Sequence, residues 1–172
     1  DKDPYEDDLI IGSYGLDQCL DLAQDALRRG NDVSAPEGWL VGEGMAVAMI
    51  ATIAPRGHFS RSKVALRPDG TFVVRAGTAE FGNGTTTVLR QIAASVLEAP
   101  FSRLHLWTAD TDAVAHDTGA FASTGITVAG KALAAACQAL RTRMLELAAA
   151  QTGTDADAAL LTDAGVATPA GV

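Results

Sequence analysis

Leu16, Leu20, Ala23 and Leu27 stand three and four positions apart near the start of the chain. That spacing puts them on one face of a helix and predicts an amphipathic α-helix from about Gly15 to Arg29, ended by Gly30-Asn31. Asn31 to Gly38 collects Ser, Pro, Glu and Gly and reads as a loop or short linker. From Met45 to Ile53 the run is apolar without alternation, as in a strand covered on both faces, and Pro55-Arg56-Gly57 closes it.

Lys63 to Arg67 and Thr71 to Arg75 read as two strands around Pro68-Asp69-Gly70, because Asp-Gly tolerates the positive φ of a tight turn. Gly77 to Gly84 is glycine-rich and runs into Thr85-Thr86-Thr87, after which Val88, Ile92 and Val96 mark a helix to about Glu98. Pro100 blocks its continuation. Arg103 to Thr108 alternates, with Leu104, Leu106 and Thr108 on one face of a further strand. Asp110 to Gly125 is polar and long for a loop, a length that often carries function. Thr127 to Ala150 predicts an Ala-rich helix, Asp155 to Leu161 a short one, and residues 151–172 a loose tail. The order βββαβα, a hairpin combined with crossovers, predicts an α+β fold: a mixed β-sheet with helices packed on it.

Composition narrows the class. At 172 residues the chain suits one domain. It is 48% hydrophobic and 20% charged, within the globular range, and only 5% aromatic, so the core must be built from Ala, Val, Leu and Ile. The formal net charge of −8 argues against a nucleic-acid partner, which requires a cationic footprint. No run approaches the roughly 18 apolar residues of a membrane-spanning helix. The acidic lead, residues 1–14, is the opposite of a basic signal start, so a cytoplasmic location is expected. With no initial Met and an abrupt Thr168-Pro169-Ala170-Gly171-Val172 end, the chain reads as a piece excised from a longer protein. Cys19 and Cys137 both fall in helix-like apolar patterns and are expected to be buried free thiols.

Two stretches share one architecture, a glycine-containing loop feeding a helix: Glu80-Phe81-Gly82-Asn83-Gly84-Thr85 and Gly119-Ala120-Phe121-Ala122-Ser123-Thr124-Gly125. Glycine lets backbone approach a ligand, and a helix start offers N–H donors suited to anionic or polar cofactor edges. The competing reading has Gly82 and Gly84 serving a turn and Thr85 a helix cap. Neither loop carries a Walker A lysine pattern, and Gly82-Asn83-Gly84 lacks the third glycine of a dinucleotide fingerprint. His58, His105 and His116 are scattered, and Asp110, Asp112 and Asp117 lack the closing Glu of a calcium loop, so no metal ligand is assigned. Ser123 has no visible base partner and no nucleophile elbow. Glu80 is the one carboxylate inside a glycine loop, with orientation of the loop and catalysis both open to it.

Taken in order, these motifs carry a resemblance. Asp69-Gly70-Thr71, Gly77-Thr78-Ala79-Glu80-Phe81-Gly82-Asn83-Gly84 and Thr87-Val88-Leu89-Arg90-Gln91-Ile92-Ala93-Ala94 resemble the molybdopterin-binding large subunits of the molybdenum hydroxylases. That family comprises xanthine dehydrogenases, aldehyde oxidases and aerobic carbon monoxide dehydrogenases, and its pattern here is Gly-x-x-Glu-x-Gly-Gln-Gly followed by Gln-Ile-Ala. Asp110-Thr111-Asp112, Gly119 to Ser123, Gly130 and the Ala-rich helix are similar to its next loop and helix. Tyr14-Gly15-Leu16-Asp17-Gln18-Cys19-Leu20 is similar to the opening of its second cofactor-binding domain.

The resemblance implies that Phe81, Gly82, Asn83 and Gly84 contact one side of a molybdenum–molybdopterin cofactor, and Ala122, Ser123, Thr124 and Gly125 the other. Asn83 stands where the family has Gln, and Thr124-Gly125 where bacterial members often have Arg-Ser. The implied activity is hydroxylation of N-heterocycles or aldehydes with oxygen from water. Electrons leave through iron–sulfur clusters and FAD on partner domains or subunits. The family's catalytic Glu and its Gly-Gly-Phe-Gly segment fall outside this chain, so no catalytic residue is assigned. The fragment alone is expected to be inactive and without cofactor, whose pterin form, free or as the cytosine dinucleotide, stays open. The expected partners are the remainder of the large subunit and a small-molecule substrate. A binding or assembly module that keeps the fold without the cofactor is the alternative, and an unrelated phosphate-binding α+β domain a third reading.

Overall fold

A computed structural model describes residues 14–48 and 56–171, and the chain divides into two compact units, 1–51 and 52–172. The acidic lead therefore lies outside the described residues except for Tyr14.

In the first unit, α1 spans Leu16–Arg29, as its apolar spacing predicts. Gly30 ends it at φ 70°, its N–H reaching the carbonyls of Ala26 and Leu27. Leu20, Ala23 and Leu27 form a half-buried stripe, but no α1 side chain is fully buried. Cys19, expected to be buried, is exposed, because none of the described residues covers its side of the helix. The predicted strand Met45 to Ile53 is without regular structure through 48, and 49–53 lie outside the described residues.

The second unit is built on a hairpin. β1 (Ser62–Leu66) pairs antiparallel with β2 (Phe72–Ala76), with Val64 opposite Val74. The turn follows from Asp69-Gly70: Gly70 takes φ 79°, and Asp69 Oδ1 accepts both the N–H (2.9 Å) and the hydroxyl (2.7 Å) of Thr71. From β2 the chain crosses through α2 (Thr85–Leu97) to β3 (Leu104–Thr108), which lies parallel to β2 and gives the sheet order β1-β2-β3. Glu98 in a left-handed conformation and Pro100 beyond it stop α2. α3 (Gly125–Thr152) follows the long loop and is capped by Gly153 at φ 66°.

The sheet is mixed and the architecture α+β, as the pattern predicts. Phe72, Val74 and Ala76 of β2 face Leu89, Ala93 and Leu97 of α2 and Ala129, Leu133 and Cys137 of α3. Small side chains bring the helices together: a Cβ on Gly130 would stand 3.0 Å from Ile92 Cδ1. Each fully buried leucine contributes about 1.5–3 kcal/mol, so this aliphatic core stabilises the unit with Phe72 as its one aromatic ring.

The C-terminal residues differ from the expected loose tail. A single 3₁₀ turn, Ala156–Ala158, stands where a short helix is predicted, and β4 (Leu160–Thr162) pairs with β5 (Gly165–Ala167). Leu161 anchors this hairpin by burial. Arg103 ties it down, donating to the Asp163 carbonyl at its turn and to the Gly70 carbonyl in the β1–β2 turn. No helix among the described residues is long and apolar enough to cross a membrane.

Candidate functional site

Topology places both glycine loops at one edge. β2 and β3 run parallel, so residues 77–84 and 109–124 leave the same carboxyl edge of the sheet and start α2 and α3 there. In sheets with parallel strands, this edge is where ligands bind.

The first loop is organised by Glu80. Its Oε1 accepts the N–H groups of Gly82 (2.7 Å) and Gly84 (3.1 Å). Its Oε2 accepts the N–H (2.9 Å) and hydroxyl (3.1 Å) of Thr86. The Thr86 N–H above all, then those of Gly82 and Gly84, hold this carboxyl at about 2, against an opposing effect of desolvation. Glu80 is thereby an ionised clasp that orients the loop, the first of the two roles open to it in the sequence.

Asn83 works on the helix start. Its Oδ1 accepts the Thr85 hydroxyl (2.7 Å) and N–H (3.3 Å), an Asx turn that caps α2. Gly82 (φ 97°) and Gly84 (φ 76°) need the left-handed region, and nothing lies within 4 Å of where their Cβ atoms would stand. The N–H groups of Phe81 and Asn83 meet no acceptor among the described residues, and the Phe81 ring is 65% exposed. The loop thus presents an aromatic face, free backbone donors and the Asn83 amide NH₂ on a surface that no side chain crowds. Those groups suit the polar edge of a flat heterocyclic cofactor.

The second loop stores strain. Ala122 (φ 48°) and Ser123 (φ 56°) are consecutive non-glycine residues in the left-handed region, at a cost of about 1–2 kcal/mol each. The turn is closed by the Thr124 N–H (2.9 Å) and hydroxyl (2.8 Å), both donated to the Phe121 carbonyl. Thr124 is the N-cap residue of α3 and Gly125 its first helical residue, where an added Cβ would stand 3.3 Å from Ala120 Cβ. Before it, Asp117 accepts from the Gly119 N–H (2.9 Å) and the Ser60 hydroxyl (2.6 Å), while Asp110 caps its own turn through the N–H groups of Asp112 and Ala113. These carboxylates are used internally, and no group of three His, Cys, Asp or Glu among the described residues could hold a metal ion.

The family model for the molybdopterin cofactor-binding domain matches residues 18–170. The chain belongs to that family. "Probable hypoxanthine oxidase XdhD" of Escherichia coli K12 is 34% identical over 129 residues, 71% of this chain and 14% of that protein. The xanthine dehydrogenase molybdenum-binding subunit of Escherichia coli O157:H7 is 31% identical over 147 residues, 81% of this chain and 19% of that protein. Quinoline 2-oxidoreductase from Pseudomonas putida 86 superposes with a TM-score of 0.58 at 26% identity, over 66% of this chain and 15% of that one. The chain thus spans less than a fifth of these relatives. Its α+β fold is that of the molybdopterin cofactor-binding domains.

Phe81, Gly82, Asn83 and Gly84 fall together in the first loop, and Ala122, Ser123, Thr124 and Gly125 in the second, on the shared edge. Sequence reasoning set His58 aside as a metal ligand without linking it to the second loop, and gave Phe59 no role. His58 contacts Gly119 and Thr124, and the Phe59 ring stacks on His116 at 4.2 Å. Such contacts cross about sixty residues and leave no mark in local spacing.

Proposed function

We propose that this chain is one wall of the cofactor cleft in the molybdopterin-binding subunit of an oxidoreductase of the xanthine dehydrogenase and aldehyde oxidase type. The observation that carries the reading is the pairing of two exposed glycine loops on the carboxyl edge of β2 and β3. When bound, the molybdenum–molybdopterin group supplies the redox chemistry that hydroxylates an N-heterocycle or aldehyde with oxygen from water. The residues of the chain bind and orient: Phe81 packs on the cofactor, the Phe81 and Asn83 N–H groups and the Asn83 amide donate to it, and Ala122 to Gly125 hold its other side. The names of the relatives support this substrate class, and the reading further assigns the enzyme to the cytoplasm, with iron–sulfur and FAD partners that take the electrons. One wall cannot enclose a cofactor, so the isolated chain is inactive and does not retain it.

The test is molybdenum by elemental mass spectrometry, with pterin fluorescence, on the full-length protein from molybdate-supplied cells. Near-stoichiometric metal and pterin, as the free form or a cytosine dinucleotide, support the reading. Turnover of any N-heterocycle or aldehyde by the isolated 172 residues overturns its claim of inactivity.

A second reading, a binding or assembly module without cofactor, draws on the Glu80 clasp. That carboxylate already takes the Gly82, Gly84 and Thr86 donors, so part of the anion-binding capacity at the start of α2 is spent within the loop. A folded full-length protein containing neither molybdenum nor pterin selects this alternative.

A further inference from the structure

The second loop is strained at two residues and needs a brace. We infer that His58 is the positioning residue that fixes its shape for ligand binding, an inference that deepens the proposed function.

His58 is partly buried between the ends of the loop. Its Nε2 stands 3.0 Å from the Gly119 carbonyl, where the loop begins, and its Nδ1 3.2 Å from Thr124 Oγ1, where α3 begins. A carbonyl only accepts, so Nε2 carries the proton and donates, and the single Thr124 hydroxyl proton is shared between Nδ1 and the Phe121 carbonyl 2.8 Å away. The ring also meets Phe121 edge to face, with centroids 6.1 Å apart. One imidazole therefore touches the start, the middle and the end of a seven-residue turn.

The imidazole is itself held. Phe59 N–H donates to Thr118 Oγ1 (3.1 Å) and Thr118 N–H to the Phe59 carbonyl (3.1 Å). Arg61 N–H donates to the His116 carbonyl (3.0 Å), and the Ser60 hydroxyl to Asp117 (2.6 Å). Residues 58–61 thus run as a short antiparallel splint beside 116–119, with Ser60 and Asp117 forming the bridge. The splint continues directly into β1, so the loop's position is referred to the sheet through His58 rather than through α3 alone. Ala122 and Ser123, the two strained residues, lie inside the span that the ring closes.

The test uses His58→Ala, His58→Gln and His58→Asn with Thr124→Val, read by hydrogen–deuterium exchange on the chain and by pterin content of the full-length protein. A Gln amide can reach the Gly119 carbonyl as Nε2 does, whereas Asn stops near the position of Nδ1. In His58→Ala, exchange across 119–125 should accelerate about tenfold, with β2 and α2 unchanged, and His58→Gln should return it to within about twofold of the parent. His58→Asn and Thr124→Val should fall between. Nitrogen NMR of the ring should show the Nε2–H tautomer. Pterin per full-length chain should fall in the same order as loop protection. Loop exchange unchanged in His58→Ala, or acceleration spread evenly through β2 and α2, overturns the inference. A parent protein without pterin overturns the proposed function instead, and the exchange data then decide the bracing role alone.

Discussion

Replacing Gly77 with alanine should be among the most damaging single-methyl changes in the second unit. Gly77 follows β2 and has no positive φ, so alanine suits its backbone and slightly favours folding, by about 0.4–1 kcal/mol, through the unfolded chain. Space decides the outcome. The added Cβ would stand 2.6 Å from Asp117 Cβ and 3.2 Å from the His116 carbonyl oxygen. Carbon atoms rest at about 3.5–4.0 Å, so Asp117 must move by roughly 1 Å. That displacement breaks its bonds to the Ser60 hydroxyl and the Gly119 N–H, 2.6 and 2.9 Å long. Overpacking costs about 1–3 kcal/mol, and the two disrupted hydrogen bonds bring the net loss to about 1–5 kcal/mol after the backbone gain. Urea denaturation should show a lower midpoint at unchanged slope, and the melting temperature should fall by roughly 2–4 °C per kcal/mol. Gly82→Ala is the control, since its Cβ meets nothing and its cost comes from a φ of 97°. A Gly77→Ala protein within about 0.5 kcal/mol of the parent would refute the claim that this contact holds the second loop against β2.

Four further outcomes follow from named groups. A carboxyl whose pKa is lower in the folded protein stabilises it above the ordinary value and loses that contribution as pH falls through the folded one. The Glu80 clasp should therefore hold above pH 4.5 and release toward about 2, seen as amide-shift titrations of Gly82, Gly84 and Thr86, and Glu80→Gln should remove them. Asn83→Gln should lose the Asx cap on Thr85 and destabilise α2 by about 0.5–2 kcal/mol in urea denaturation, even though it restores the family's residue. Burial pushes the Cys137 thiol up to about 11, so mild alkylation near pH 8 should label exposed Cys19 and spare Cys137 until the protein unfolds, as mass spectrometry would show. Arg103→Met should free the β4–β5 hairpin and cost about 2–4 kcal/mol, with proteolytic cleavage near Asp163 as the readout.

What the sequence discloses is what its residues do to near neighbours. Asp69-Gly70 sets the hairpin because the carboxylate bonds two residues on, and the spacing of Val88, Ile92 and Val96 locates α2, although the face it buries on the sheet is the adjacent one, Leu89, Ala93 and Leu97, with Val88 exposed. The fold class follows from such signals. The tail hairpin escapes them because strands of three residues, Leu160–Thr162 and Gly165–Ala167, are too short for alternation to register. Cys19 escapes for the opposite reason: helical spacing identifies an apolar stripe but not what, if anything, lies against the side facing away from it.

The two loops divide along the same line. Every partner that Glu80 and Asn83 engage lies within six residues, so the first loop is a self-contained unit whose geometry travels with its motif. Asn in place of Gln then has a physical meaning. The shorter side chain turns back to cap its own helix, and the backbone N–H groups and the Asn NH₂ remain the donors available outward. The second loop carries strain that its own residues do not relieve. It depends on His58 and Ser60, some sixty residues earlier, so its motif alone does not specify its shape. A substitution at either site would alter the second loop while every residue of its motif stayed in place, whereas the first loop changes only when its own residues do.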